Sequence, residues 1–188
     1  MNFLFISQNN LLVEGIADLV YLNYMSSILI EKGREGINDK ITIVPVGGAD
    51  KVSTFVSLLR GNQLNIVCLL DTMTSSTSQK LTHLINEKIL NSRNLITYGQ
   101  LLNKKYADVE DAFDIEDYLK IYNLSFNENV KKEQIDISTM KKGIVEAITE
   151  ITSKFNHYLP SKTLISSKLE MSEATLQNFE KIINKINE

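Results

Sequence analysis

A nearly unbroken apolar run, Leu64 to Leu70, ends abruptly on Asp71. A strand this apolar has no face suited to water, so both sides must be covered, which places it inside a sheet layered between helices. The flanking sequence supplies such layers. Asn10-Leu11-Leu12-Val13 and the β-branched Ile41-Thr42-Ile43-Val44 read as two more buried strands, and Leu95-Ile96-Thr97-Tyr98 as a fourth. Apolar residues at Ile16, Leu19, Val20, Met25, Ile28 and Leu29 recur at a roughly helical period, stopping near Gly33 and Gly36. Val52, Phe55, Val56 and Leu59 share one face of a second helix, Asp50 to Leu59, closed by Gly61. A third helix fits Ser78 to Ile89. Strand and helix repeated three times before a last strand predict an α/β fold, a Rossmann-like, mostly parallel sheet with helices on both faces.

From about Asp114 the strand signals stop. Ile144, Ile148, Ile151 and Phe155 step by four, three and four, the spacing of an amphipathic helix whose four apolar residues should pack inward, and Pro160 follows its end. Ser172 with Thr175 opens a final helix carrying Leu176, Phe179, Ile182, Ile183 and Ile186. The expected division is a core over residues 1–118 and a helical C-terminal appendage over 119–188, the appendage covering the sheet or mediating self-association.

The net charge is −3, so bulk electrostatics would not draw this chain to nucleic acid. Binding DNA would need a local patch, bridging cations or a second domain; Arg34, Lys40, Lys51, Arg60, Lys104 and Lys105 are the candidate patch, though loop lysines are commonly just solvated. The single cysteine, Cys68, sits inside the third strand and offers no disulfide framework, so a reducing cytoplasm is expected. No apolar run approaches the length of a membrane span, and no secretion signal is evident at the N-terminus.

In an open parallel sheet, functional groups gather beyond the carboxyl ends of the strands. Strand one ends at Glu14, with Asp18 in the first turn of the next helix. Strand two ends in Gly47-Gly48-Ala49-Asp50-Lys51, and strand three at Asp71. Beyond strand four come Lys104, Lys105, Asp108, Glu110 and Asp111. Carboxylates gathered from distant parts of a chain repel one another unless a divalent cation sits among them, and such an oxygen-rich site suits Mg²⁺ or Mn²⁺. Each piece also has a plainer reading. Asp18 can complement a helix dipole, Asp50 can cap its helix, Gly47-Gly48 can permit a tight turn, and the run from Lys104 to Asp111 can be a solvated loop. Glu14 and Asp71 resist that reading, because each is a charge set directly against an apolar strand.

Leu11-Leu12-Val13-Glu14-Gly15-Ile16-Ala17-Asp18 resembles the first motif of a Toprim domain, a strand ending in Glu-Gly with an acid four residues after the Glu. Ile43 to Val52 resembles the segment that follows it in the OLD (overcoming lysogenization defect) family of ATP-dependent endonucleases. Asp71 stands where that family's Asp-x-Asp motif begins. Lys105 to Asp114 resembles its later block, where a Lys and an acidic pair precede Phe-Asp, and Ser172-Glu173-Ala174-Thr175-Leu176 resembles its C-terminal helix. The resemblance runs from about Asn10 to the last residue. It implies a Toprim fold and a DNA endonuclease or nickase using two metal ions, Mg²⁺ or Mn²⁺, in anti-phage or genome defence. By position Glu14 and Asp71 would be the main ligands; Asp18 and Glu110, with Asp111, would complete the second site; Lys105 would offset charge on the scissile phosphate. The implied partners are DNA, an ATPase domain or subunit, and further copies of the chain joined through the ATPase or the helical tail.

Two departures qualify that picture. The second acid of Asp-x-Asp is absent, because the sequence reads Asp71-Thr72-Met73. A thioether facing the metals is a poor ligand for a hard cation, so Mg²⁺ binding should be weak and Mn²⁺ better tolerated. The chain also lacks a Gly-x-x-x-x-Gly-Lys-Ser/Thr loop, so it carries no ATP site of that kind. His83 and His157, the only two histidines, are far apart in sequence, and neither a zinc cluster nor a Cys–His nucleophile is expected. The competing reading is a catalytically weak module that binds metal or nucleic acid and scaffolds an assembly. A primase or topoisomerase Toprim domain fits less well, since no sign of those enzymes' other domains is present.

Overall fold

The computed structural model describes residues 7–60, 64–72, 75–135 and 143–188. Four strands, β1 (Asn9–Val13), β2 (Ile41–Pro45), β3 (Asn65–Leu70) and β4 (Leu95–Thr97), form one sheet in the order β2-β1-β3-β4. All neighbours are parallel, and the register sets Val13 beside both Pro45 and Leu69, and Leu70 beside Thr97. The carboxyl ends of the strands are therefore level, and whatever follows each strand emerges along one edge.

Alternation along the strands builds two cores. Leu11, Val13, Leu69 and Ile96 point to one face, where they join Tyr21, Leu22, Met25 and Leu29 of α1 (Ile16–Glu31). Leu12, Val44, Ile66, Cys68 and Leu70 point to the other, against Val52, Val56 and Leu59 of α2 (Ala49–Arg60) and Leu81 and Leu84 of α3 (Ser75–Asn86). The helices lie on both faces, as the apolar run of β3 requires.

The remaining helices are α4 (Tyr98–Leu102), α5 (Ile115–Phe126), α6 (Ile144–Thr152), α7 (Tyr158–Ser167) and α8 (Glu173–Asn187). Residues from α5 to α8 share the core of α1, and the position between 118 and 119 falls inside α5. An aromatic seam ties the layers: Phe113 meets Tyr21 of α1 at 5.1 Å and Phe179 of α8 at 4.8 Å, both edge to face.

The structure departs from the sequence expectation at three helix ends. Tyr98 does not extend β4, because Thr97 Oγ1 accepts from Gln100 N and Gln100 Oε1 accepts from Thr97 N, a reciprocal cap that starts α4. Helix α3 begins and ends earlier than expected, and Lys88 beyond it is left-handed at φ 56°. Helix α6 stops at Ser153, which is left-handed at φ 55°. Phe155 therefore lies outside the helix, and Ile151 and Phe155 are each 44% exposed, while Ile144 and Ile148 are buried as expected. Helix α7 had no sequence expectation; Pro160 sits in its first turn, where a missing N–H costs nothing.

Asp117 locks α8 onto α5. Its carboxylate is buried and accepts from Ser172 N at 2.7 Å, Thr175 Oγ1 at 2.7 Å and Lys120 Nζ at 3.0 Å. Burial alone would raise its pKa, but these hydrogen bonds outweigh burial and hold it below the usual value. Asp117→Ala would strand a buried hydroxyl and the Ser172 N–H at the start of α8. Urea unfolding of the variant should show a loss of about 3 kcal/mol, the cost of removing a charged acceptor from buried donors.

Candidate functional site

Each element at the carboxyl edge delivers its side chain for a local reason. Glu14 is the first residue past β1, and its backbone carbonyl accepts from Gly47 N at 2.9 Å and Gly48 N at 2.8 Å. That turn runs through φ 81° at Gly47 and 126° at Gly48, a path that residues with a Cβ rarely take. The Glu14 side chain then reaches sideways, and its Oε1 accepts from Asp71 N at 3.1 Å. Asp18 lies at the third position of α1, where its Oδ2 accepts from Gly15 N at 2.9 Å and its Oδ1 from the buried Tyr98 hydroxyl at 3.0 Å.

Glu110 arrives by a stitch. Thr72 N donates to Ala107 O at 2.9 Å, and Ala107 N donates to Thr72 Oγ1 at 2.8 Å. This pins the segment before the 3-10 turn Val109–Ala112 against the end of β3 and brings Glu110 to the cleft that Asp71 lines. Glu14, Asp18, Asp71 and Glu110 line one cleft of about 290 Å³, together with His157, which precedes α7. His157 Nδ1 is 3.3 Å from Glu110 Oε1.

The cleft is electrostatically stressed. Glu110 is fully buried and Asp18 only 5% exposed. Burial first, then the charges of Asp18, Glu14, Asp108 and Glu110, push Asp71 up to about 10. Burial first, then Asp18, pushes Glu110 up to about 8. Glu14 and Asp18 are raised as well, chiefly by burial. His157 is lowered, because desolvation outweighs the pull of Asp18 and Glu14. Glu110 Oε2 and Asp71 Oδ1 are buried with no hydrogen-bond partner among the described residues. Orphaned carboxylate oxygens in a repelling cluster fit a divalent cation in donor chemistry. Among the described residues no three such side chains already converge on one point, so holding an ion requires them to turn inward.

The other expected site residues lie elsewhere. Asp111 faces away from the cleft: its carboxylate accepts from Lys104 Nζ at 3.0 Å, Asp108 N at 3.2 Å and Ile144 N at 3.3 Å. It ties the turn to α6 and acts as an internal cap. Lys105 is exposed, its ammonium 5.2 Å from the Tyr106 ring centre, beside a separate pocket of about 520 Å³. Met73 lies outside the described residues. Among the described side chains the candidate basic patch does not gather in one place: Arg34 pairs with Glu173 and Glu180, Lys104 with Asp111, and Lys40 precedes β2 at the opposite edge of the sheet, while the Arg60 side chain lies outside the described residues. Lys51, near Gly47, remains beside the cleft. Sequence reading missed His157, which no periodicity marks, and Tyr98, which it placed in a strand.

A family model for the overcoming lysogenization defect protein-like Toprim domain matches residues 5–72, the segment that carries Glu14, Asp18 and Asp71. Over that segment the chain is similar to an OLD-like Toprim domain. Two solved structures share its fold over nearly the whole length. The C-terminal region of the Xanthomonas campestris pv. campestris OLD protein is 16% identical at a TM-score of 0.55, covering 97% of this chain and 95% of that one. The C-terminal region of the Burkholderia pseudomallei OLD protein is 13% identical at a TM-score of 0.51, covering 96% and 98%. No curated protein sequence matches the chain. An OLD-like Toprim domain implies a nucleic-acid-related function, and Toprim domains generally bind divalent metals. No helix among the described residues is long and apolar enough to cross a membrane.

The stressed carboxylates give a pH test. A carboxyl whose folded pKa is raised binds its proton more tightly folded than unfolded, so stability falls as pH rises from the unfolded value towards the folded one. His157, lowered from 6.5, acts in the opposite sense, but only below that value. Between pH 6.5 and about 8 the metal-free protein should therefore lose thermal stability through Glu110 and Asp71. Melting curves in EDTA should show that slope, and saturating Mn²⁺ should flatten it; a flat EDTA profile would contradict the clustered carboxylates.

Proposed function

We propose that this chain is a metal-dependent DNA endonuclease or nickase domain, acting with an ATPase domain or subunit in anti-phage or genome defence in the cytoplasm. The observation that carries this reading is the single cleft at the carboxyl edge where Glu14, Asp18, Asp71 and Glu110 meet, two of them with orphaned buried oxygens. Glu14 and Asp71, each set at the end of a buried strand, would be the main ligands, and Asp18 and Glu110, which line the same cleft, would complete the set. Two divalent cations bound there would activate a water and stabilise the leaving oxygen of a phosphodiester. Tyr98 and Gly15 orient Asp18, and the Asp71 N–H orients Glu14, so the fold sets both at the cleft from which they would turn in to an ion. Lys51 near the Gly47-Gly48 turn is a cation placed to meet a phosphate at the cleft mouth. Contact between copies would run through the ATPase or the helical tail.

The competing reading, a module that binds nucleic acid or scaffolds an assembly with little catalysis, is favoured by three features. The sequence has Met73 in place of a second acid, Lys105 points away from the cleft, and the carboxylates do not yet converge. One assay separates the two. Supercoiled plasmid incubated with the chain should be nicked in Mn²⁺, more slowly in Mg²⁺, and not in EDTA. Asp71→Asn should lower the rate at least about a hundredfold, the scale of losing one transition-state charge contact. Plasmid left intact by the wild-type chain under every metal condition, also after its ATPase is supplied, would favour the scaffold.

A further inference from the structure

We propose that His157 is a nitrogen ligand of the carboxylate cleft and tilts its metal preference away from Mg²⁺ towards transition ions such as Mn²⁺. This rests on reading the cleft as a metal centre, and adds a donor that the acidic motifs do not contain. The position of the ring argues for it. His157 lines the same cleft as Glu14, Asp18, Asp71 and Glu110. Its ring is 56% exposed, so packing does not require it. It is nevertheless oriented from two sides, by Phe155 at 4.1 Å edge to face and by Glu110 Oε1 at 3.3 Å from Nδ1.

A carboxylate on Nδ1 fixes the proton there and leaves the Nε2 lone pair for a cation, a recurrent way of aiming a metal-binding histidine. An independent observation bears on the same carboxylate. Glu110 is fully buried, its Oε1 faces His157, and its Oε2 has no partner among the described residues. Glu110 thus orients the ring from behind, and an ion on Nε2 would be shared with the other carboxylates that line the cleft.

The origin of the donor also matters. Helix α7, which His157 precedes, packs on α1, whose first turn carries Asp18. The C-terminal helices therefore carry a ligand to the Toprim core. The sequence has Met73 where the motif pattern has a second carboxylate. An imidazole in the set changes its kind, since nitrogen ligands favour transition ions over Mg²⁺.

The test uses the whole chain, metal-free, with calorimetric titration of Mn²⁺ and of Mg²⁺ and pulsed electron paramagnetic resonance of bound Mn²⁺. The wild type should show nitrogen modulation on Mn²⁺ and bind it more tightly than Mg²⁺. His157→Ala should lose the modulation and lower the Mn²⁺-to-Mg²⁺ affinity ratio by about tenfold. His157→Asp, which supplies a hard oxygen instead, should lose the modulation yet bind Mg²⁺ at least as tightly as the wild type. The only other histidine, His83, lies on α3 with 72% of its side chain exposed, so His157 is the expected source of the signal. Mn²⁺ binding without nitrogen modulation, and an unchanged ratio in both variants, would overturn the role of His157 and leave the carboxylate metal centre standing. A wild-type chain that binds neither ion would overturn the metal centre itself.

Discussion

Four carboxylates crowded at one edge of a buried sheet raise each other's free energy, and the rest of this structure supplies what holds them there. Desolvation and like charge act together on Asp71 and Glu110, which is why both are pushed far above the ordinary range. No local feature of either residue would tolerate that arrangement. It persists because the level register of four parallel strands, two apolar cores and the Thr72–Ala107 stitch fix the backbone beneath them. Stability is thereby traded for a field that a divalent cation relieves, an arrangement typical of functional sites.

The C-terminal helices belong to this economy of contacts. Their apolar residues share the core of α1 through the seam Tyr21-Phe113-Phe179, and Asp117 clasps the start of α8. Asp111 links the 3-10 turn to α6, and that turn presents Glu110. The same helices bring His157 to the cleft mouth. The site is a joint product of the sheet and of helices far along the chain, so damage to the tail is expected to reach the carboxylates.

Much of the architecture was legible before any coordinates. Unbroken apolar strands alternating with amphipathic helices demand a parallel sheet covered on both faces, because nothing else buries such strands. Glu14 and Asp71 could be placed at the functional edge for the same reason: a charge at the end of a buried strand must emerge where the strand ends. Helix ends were less legible. Ser153 and Lys88 adopt left-handed conformations that their side chains do not announce, and a cap between Thr97 and Gln100 turned an expected strand residue into the start of α4.

Within the acidic run after β4, sequence pattern alone does not say which carboxylate faces the cleft. Glu110 and Asp111 are adjacent and equally acidic, yet one lines the cleft and the other is consumed by Lys104 and two backbone N–H groups, because successive residues on a tight turn point in different directions. Lys105, in the segment between α4 and that turn, lies over the Tyr106 ring. His157 had no signal at all, since its place depends on where α7 docks rather than on its neighbours in the chain. Residue order alone fixes the layers and the strand ends, because burial and hydrogen bonding of the backbone leave few alternatives. Which polar side chains share one cleft is set by the folded chain, because it depends on directions given by turns and by helix docking that no local pattern encodes.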